Sequence, residues 1–346
     1  MTMEQSLTAS EETEVHDRRS PAGASTEFSG IEIGLSAAII AVQSDEPRVL
    51  VVKGGGERTD DDTLPHGAFS PFEHRSLDAG LRSWVGAQTG LSLGYAEQLY
   101  TFADRTRPAD QTTSKPHLVS IGYLALTRAS PEDDLRGGEW QSWYAYFPWE
   151  DWRHGRPHLL ATVIEPALRA WAERTPVSAT ASPMVGRLDL VRMAFGLDGA
   201  TWDEEKVLER YELLFEAGLI VEARREPRDG ASPLAALGRP MLHDHRRILA
   251  TAIGRVRTKI KYRPVIFELM DDDFTLFELQ KTVEAILGPH LHKQNFRRLV
   301  ESAGLVEMTG DVRVKTGGRP AKLYRFRREV LLERPAPGVR VKPGRI

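Results

Sequence analysis

Apolar positions along the chain follow two different periods, and the switches between them mark the elements. IEIGLSAAIIAV (31–42), RVLVVKG (48–54), YAEQLYTFA (95–103) and HLVSIGYLALT (117–127) are short, apolar or alternating, and bounded by turn formers. That pattern predicts strands. SLDAGLRSWVGAQTG (76–90) instead spaces Leu77, Leu81, Trp84 and Val85 three and four apart, which predicts a helix, closed by Gly90. GGGER (54–58) reads as a turn and DRTRPADQTTSKP (104–116) as a polar loop. Together these make a mixed α/β layer domain over 29–152, ending near FPWEDW (147–152).

From 153 to 240 the period is helical. PHLLATVIEPALRAWAERT, GRLDLVRMAFGL and DEEKVLERYELLFEAGL each carry apolar residues three and four apart, and EPRDGASPLAALGRP (226–240) reads as a linker. LERYELLFEAGLIVEARRE (208–226) echoes FRRLVESAGLVEMTGD (296–311), as a helix closing on Ala-Gly-Leu before a strand. A common helix cap explains the echo, and a degenerate winged-helix unit is the alternative. Beyond 241 come HDHRRILATAIGRVRTKI, two helices (TLFELQKTVEAIL and KQNFRRLVESAG) joined by GPHL, and a hairpin, LVEMTGDVRVKTGGRPAKLYRFR. Two helices, a short turn and a basic hairpin predict a winged helix-turn-helix over 241–330, with a basic tail at 331–346. Residues 1–28 are polar and aperiodic, and read as a disordered arm.

Length fits this division, since 346 residues correspond to two or three domains of roughly 100–200 residues each. The absence of cysteine excludes disulfides and thiolate metal sites and suits a reducing cytosol. The apolar run at 33–42 is about half the ~20 residues a membrane span needs, so a cytoplasmic protein without membrane partners is expected. Net charge is −3, but residues 245–346 carry 22 Lys and Arg against 11 Asp and Glu, while the rest holds 24 against 38. The split points the C-terminal part toward a polyanion.

The second helix of that unit opens with His292, Lys293, Gln294, Asn295, Arg297 and Arg298. Asn and Gln read adenine bidentately, whereas Arg and Lys read guanine or hold phosphate. With Thr275 at the start of the first helix and Lys315, Arg319 and Lys322 on the wing, these are the candidate DNA contacts. Arg313 belongs to the same wing, and Arg325, Arg327 and Arg328 come after it. Phe296, Leu299, Val300 and Leu305 read as core. His290 and His292 read as turn and cap residues, and no metal site is expected.

Residues 67–91 have the frame of a Nudix box, G-x5-E-x7-R-E-U-x-E-E-x-G-U with U aliphatic. Its glutamates share one helix face so that they can hold Mg²⁺ on a pyrophosphate. Here the box arginine falls at Ser83, and its carboxylate positions at Trp84, Ala87 and Gln88. The upstream glutamate position is Arg75, and Glu73 fits only the spacing from Gly67. The expectation is no enzyme activity, with Trp84 packing. The competing reading is a nucleotide pyrophosphatase with a metal site rearranged around Glu73, Asp78, Glu97 or other acids. A third is a non-specific nucleic-acid binder without small-molecule input. A pocket without metal could still hold phosphates through Lys53, Arg58, Arg82, Arg105 and Arg107, with Asp104 beside them.

The blocks KYRPVIFEL, FTLFELQ, KQNFRR and GRPAKLYRF, with EQLYTFADRTR and the remnant box, resemble the Nudix-related transcriptional regulators of NAD metabolism (NrtR-like) over about 30–150 and 240–328. The extra block near 153–240 resembles their longer alphaproteobacterial NAD regulator branch (NadQ). The resemblance implies an N-terminal Nudix-like α/β/α sandwich, a helical middle segment and a C-terminal winged helix-turn-helix. It also implies a homodimeric repressor of NAD-biosynthesis genes on a palindromic double-stranded operator. No cofactor is required; the effector would be an adenine nucleotide such as NAD, ADP-ribose or ATP.

Overall fold

The computed structural model describes residues 30–54, 61–103, 117–129, 135–174, 185–224, 237–314, 320–333 and 338–339. The expected N-terminal arm, residues 55–58 of GGGER with Arg58, the 104–116 loop with Asp104, Arg105 and Arg107, residues 226–236 of the linker, the wing residues Lys315 and Arg319, and most of the tail lie outside them.

Strands β1 (Ile31–Gln43), β2 (Glu46–Lys53), β3 (Asp62–Thr63), β4 (His66–Ala68), β5 (Tyr95–Phe102), β6 (His117–Leu126) and β7 (Gly138–Ser142) form one mixed sheet, with α1 (Leu77–Thr89) between β4 and β5. Its main order is β3-β2-β1-β6-β5, with β4 on β1 and β7 on β2. The β1–β6 pair is parallel from Ile31–His117 to Ile40–Leu126, while β1–β2 and β5–β6 are antiparallel.

Side chains alternate across a strand, so each face of β1 enters a different core. Leu35, Ala37 and Ile39 join Leu81 and Val85 of α1 on one side. Ala38 and Ile40 join Ile248, Leu249, Ile253 and Val256 on the other. Burial on both faces explains why IGLSAAIIAV is a continuous apolar run rather than a strict alternation.

The second helical layer is α6 (His245–Tyr262), which packs against β1, β5 and β6. The charge pattern places this helix with the C-terminal unit. Its buried positions 248, 249, 252, 253, 256 and 260 form one continuous apolar stripe against the sheet core. Between sheet and α6, the chain makes a π-helical turn (Leu160–Ile164), then α2 (Glu165–Glu173), α3 (Arg187–Phe195), α4 (Val207–Glu216) and α5 (Val221–Arg224). Gly218 has φ +71° after α4. The chain then continues as the helical turn α5 rather than the expected strand, because its residues pack into the aromatic core, with Ile220 and Ala223 buried.

The C-terminal unit comprises α7 (Leu276–Leu287), α8 (Lys293–Ala303), a hairpin of β8 (Val306–Arg313) and β9 (Ala321–Phe326), and α9 (Val330–Glu333). This is the expected winged helix. A backbone bridge ties its start to the wing: Phe274 N donates to Tyr324 O, and Tyr324 N to Phe274 O (2.9 and 2.8 Å).

A buried ionic cluster joins the parts. Arg210 of α4 donates to both oxygens of Glu150 (2.6 and 3.0 Å) and Arg257 of α6 to one (2.7 Å), all three fully or nearly fully buried. Arg257 also donates to Ile286 O at the end of α7 (2.9 Å). A second pair, Arg246–Glu222 (3.0 Å), anchors α6 to α5.

Candidate functional site: a sealed box face and an exposed recognition helix

The box helix α1 begins at the cap Ser76, whose side chain accepts from Ala79 N (3.1 Å), and ends at Gly90 with φ +77°. The frame of the motif is thus intact. On its metal-binding face two of the three positions, Trp84 and Gln88, are bonded to the backbone of β4, and the third, Ala87, is exposed. Trp84 lies directly against Gly67, where an added Cβ would come within 2.1 Å of the indole. The indole N–H donates to Ala68 O (2.8 Å). One turn further, His66 N donates to Gln88 Oε1 (3.0 Å) and Gln88 Nε2 donates back to His66 O (2.8 Å). The amide of Gln88 pairs with β4 as another strand would, and its N–H requirement is one that a carboxylate could not meet.

A divalent cation needs several oxygens converging on one point, and this face supplies an indole, a methyl group and an amide committed to backbone. The residues do not fit Mg²⁺. Nor do other acids converge. Asp78 accepts from Arg82 (2.8 Å), Glu97 pairs with Lys259 of α6, and Glu73 sits exposed in the preceding turn. Among the described residues, no group of three His, Cys, Asp or Glu is placed to hold a metal ion.

The two described phosphate-binding candidates have intramolecular partners. Arg82 also donates to Leu93 O and Gly94 O, clasping the chain that leaves α1. Lys53 donates to Asp62 (2.8 Å), a buried carboxylate that also accepts from Tyr146 (2.6 Å) and pairs with Arg239 (2.8 Å). Behind β4, His245 is fully buried, with Nδ1 accepting from Leu64 N (3.1 Å) and Nε2 on Ser36 Oγ (3.2 Å). Burial, with His66 and His243 beside it, keeps this imidazole well below its usual pKa.

In the winged helix, α8 buries Phe296 and Val300 and exposes His292, Lys293, Gln294, Asn295, Arg297 and Arg298. Sequence periodicity and the structure agree on this face. Arg297 pairs with Glu301 along the helix (2.9 Å). The Arg298 side chain has no hydrogen bond or ion pair among the described residues. Lys322 is exposed on β9, near Met308 Sδ (3.8 Å). Thr275 plays a different part from the DNA contact expected. It is 7% exposed, and its hydroxyl caps α7 by accepting from Glu278 N (3.2 Å), while Glu278 accepts from Thr275 N (2.9 Å). Arg313 donates to the same Glu278 carboxylate (2.9 Å) and to Asp273 O (3.0 Å), fixing the wing to the start of α7.

Glu284 sets the turn between α7 and α8. It accepts from Leu291 N (2.9 Å), Gln280 Nε2 (2.8 Å) and Lys281 Nζ (3.1 Å), and lies 3.3 Å from His290 Nδ1. Burial alone would raise this carboxyl, but the Leu291 N–H and its side-chain donors hold it below its usual range. His292 takes the cap position of α8, without a side-chain cap bond. The i, i+4 spacing of Gln280 and Glu284 was visible in sequence; their inward orientation was not.

Comparisons with known proteins bear on the same unit. Residues 266–326 match the NrtR DNA-binding winged helix domain. The ADPR responsive transcriptional repressor NtrR of Acinetobacter baylyi is 42% identical over 91 residues, which are 26% of this chain and 36% of that relative. Crystal structures of Shewanella oneidensis NrtR, alone and complexed with a 27mer DNA, each align over 86% of this chain and 94% of theirs. Identities are 19% and 20%, with TM-scores of 0.51 and 0.50, so this likeness is one of fold. Residues 266–326 thus match the NrtR DNA-binding winged helix domain, and the chain as a whole shares the fold of Shewanella oneidensis NrtR.

Proposed function

We propose that the protein is a DNA-binding transcriptional repressor of NAD-biosynthesis genes whose Nudix-like domain senses an ADP-containing metabolite and does not hydrolyse it. The observation that carries this reading is the pairing of two faces. On α1 the catalytic face is closed by Trp84 and Gln88 bonded to the backbone of β4. On α8 a row of polar and basic side chains stands free of the core.

In a homodimer, two such helices would meet half-sites about one helical turn apart on a palindromic operator. His292, Lys293, Gln294, Asn295, Arg297, Arg298 and Lys322 are the proposed contacts among the described residues, with Lys315 and Arg319 added from the wing. The responsiveness of the Acinetobacter relative to ADPR supports an ADP-containing effector, with NAD and ATP as the other candidates. The helical block 153–240 would then serve as the rigid joint of the longer branch, locked by Glu150, Arg210 and Arg257.

The test is fluorescence anisotropy with NAD-gene promoter duplexes, comparing wild type with Arg298→Ala and Arg297→Ala at several salt concentrations. Weakened binding with a shallower salt dependence supports the assignment. Unchanged titrations for both variants overturn it.

A further inference from the structure

Between the sheet unit and the winged helix lies a cavity of about 820 Å³, on the α6 side of the sheet and away from the box helix. Small-molecule sites commonly occupy roughly 300–1,000 Å³ and sit where two units meet. The lining is aromatic and charged. Tyr95 contributes from the sheet; Phe267, Phe274 and Phe326 contribute from the other side, with Phe267 and Phe326 stacked at 4.4 Å and 21°.

Among its cations, Arg128, Lys259 and Arg325 are already paired, with Asp272, Glu97 and Glu307. Arg263 and Arg328 are different. Both line the cavity, both are exposed, and neither guanidinium has a hydrogen bond or ion pair among the described residues. Arg328 helps Arg128 hold the Asp272 carboxyl below its usual range without bonding to it, and Arg263 has no charged partner among the described residues. Two such guanidiniums beside an aromatic pair suit a ligand with phosphates and a planar ring. Glu268 and Asp271 also line the space without an ion pair there and can accept from hydroxyls or an exocyclic amine.

We propose that this cleft binds a phosphorylated nucleoside, with Arg263 and Arg328 on its phosphates and its base against the Phe267–Phe326 pair. The site is separate from the box, and its regulatory use rests on the effector-responsive reading above. Its walls belong to both units, so ligand affinity depends on how they sit together. By linkage, the ligand then biases the placement of the DNA-binding unit.

Isothermal titration of the full chain with ATP and, separately, ADP-ribose tests the site. Wild type is compared with Arg263→Ala/Arg328→Ala and with the corresponding double lysine variant. Both positions are exposed, so a melting curve matching wild type is expected and checks folding. The expected result is at least tenfold weaker binding of one nucleotide in the alanine variant, partly restored by lysine. Duplex affinity measured without nucleotide should stay within twofold of wild type. Equal nucleotide affinity in wild type and alanine variant overturns the site. A loss confined to duplex affinity also overturns it, by assigning these cations to the DNA backbone. Failure of both nucleotides to bind wild type that still binds promoter duplex rejects the site and leaves the DNA-binding reading intact. Nucleotide binding that the variant loses, in a protein that binds no duplex, keeps the site and rejects the regulator.

Discussion

Replacing Glu150 by Gln should separate the rigid joint from the surfaces it supports. The carboxylate has no exposed side-chain area and lies between two guanidiniums that are at most 1% exposed. Arg210 would keep the carbonyls of Ala194 and Asp203 (2.9 and 2.8 Å), and Arg257 those of Glu204 and Ile286 (3.0 and 2.9 Å). Both positive charges would then be buried without a counter-charge, beside an Arg257 Nη2 that already has no hydrogen-bond partner among the described residues. Removing one member of a buried ion pair costs about 3–5 kcal/mol, a large part of the roughly 5–15 kcal/mol that holds a folded protein together. At about 2–4 °C per kcal/mol for units of 150–250 residues, Tm should fall by roughly 6–20 °C.

The pH dependence gives a second signature. Burial alone would raise the Glu150 carboxyl, but Arg210 and Arg257 outweigh it and hold the group below its usual range. A depressed folded pKa contributes stability that is complete above the unfolded value and is lost as pH falls through the folded one. The gap between wild type and Glu150→Gln should therefore be full at pH 7 and narrow in acid. Urea and thermal unfolding at pH 7 and below pH 4 measure both effects. A variant within 1 kcal/mol of wild type at pH 7, or a gap that widens in acid, would show that Glu150 does not hold the joint through its charge.

Other consequences are open to direct measurement. Thr275→Ala removes the capping box of α7 and should cost about 1 kcal/mol in unfolding free energy; a loss below a few tenths would deny the cap its role. His245 is held neutral by burial, with its folded pKa depressed, so stability should decline as pH falls below about 6.5, the unfolded value for histidine. His245→Gln should flatten that decline in thermal melts, and an unaltered slope would assign the acid sensitivity elsewhere. Wild type incubated with Mg²⁺ and ADP-ribose should release no AMP above background by chromatography. Robust turnover would overturn the closed-box argument.

Much of the fold was legible in the sequence where the information is local. The strand and helix periods located β1, β2, β5, β6 and α1, and the spacing from Ser83 to Leu91 exposed the missing carboxylates before any geometry was known. The polar face of α8 came from its own helical spacing. Contacts between distant positions were not legible. Glu150 lies 60 residues from Arg210 and 107 from Arg257, and nothing in its neighbourhood distinguishes it from a surface acid. Charge misdirected the reading of α6, since Arg246 and Arg257 look like part of a basic C-terminal half but are buried in ionic clusters. Thr275 illustrates the same ambiguity on a smaller scale. A threonine three residues before a glutamate signals a cap, and its place at the start of the first helix of the winged unit made it resemble a DNA contact. The Gln88–His66 pairing depends on β4 folding back along α1, which three residues of strand do not announce.

If the sheet domain with its metal-free box controls a sequence-specific winged helix, DNA affinity must depend both on duplex sequence and on a nucleotide. The most direct measurement is a titration of the full chain against duplexes from NAD-gene promoters and a scrambled duplex of equal length, each with and without ADP-ribose, NAD and ATP. The expected result is tighter binding to one promoter than to the scrambled duplex, with an affinity that at least one nucleotide shifts. Equal affinity for every duplex, unmoved by any nucleotide, would rule out both sequence-specific binding and nucleotide control.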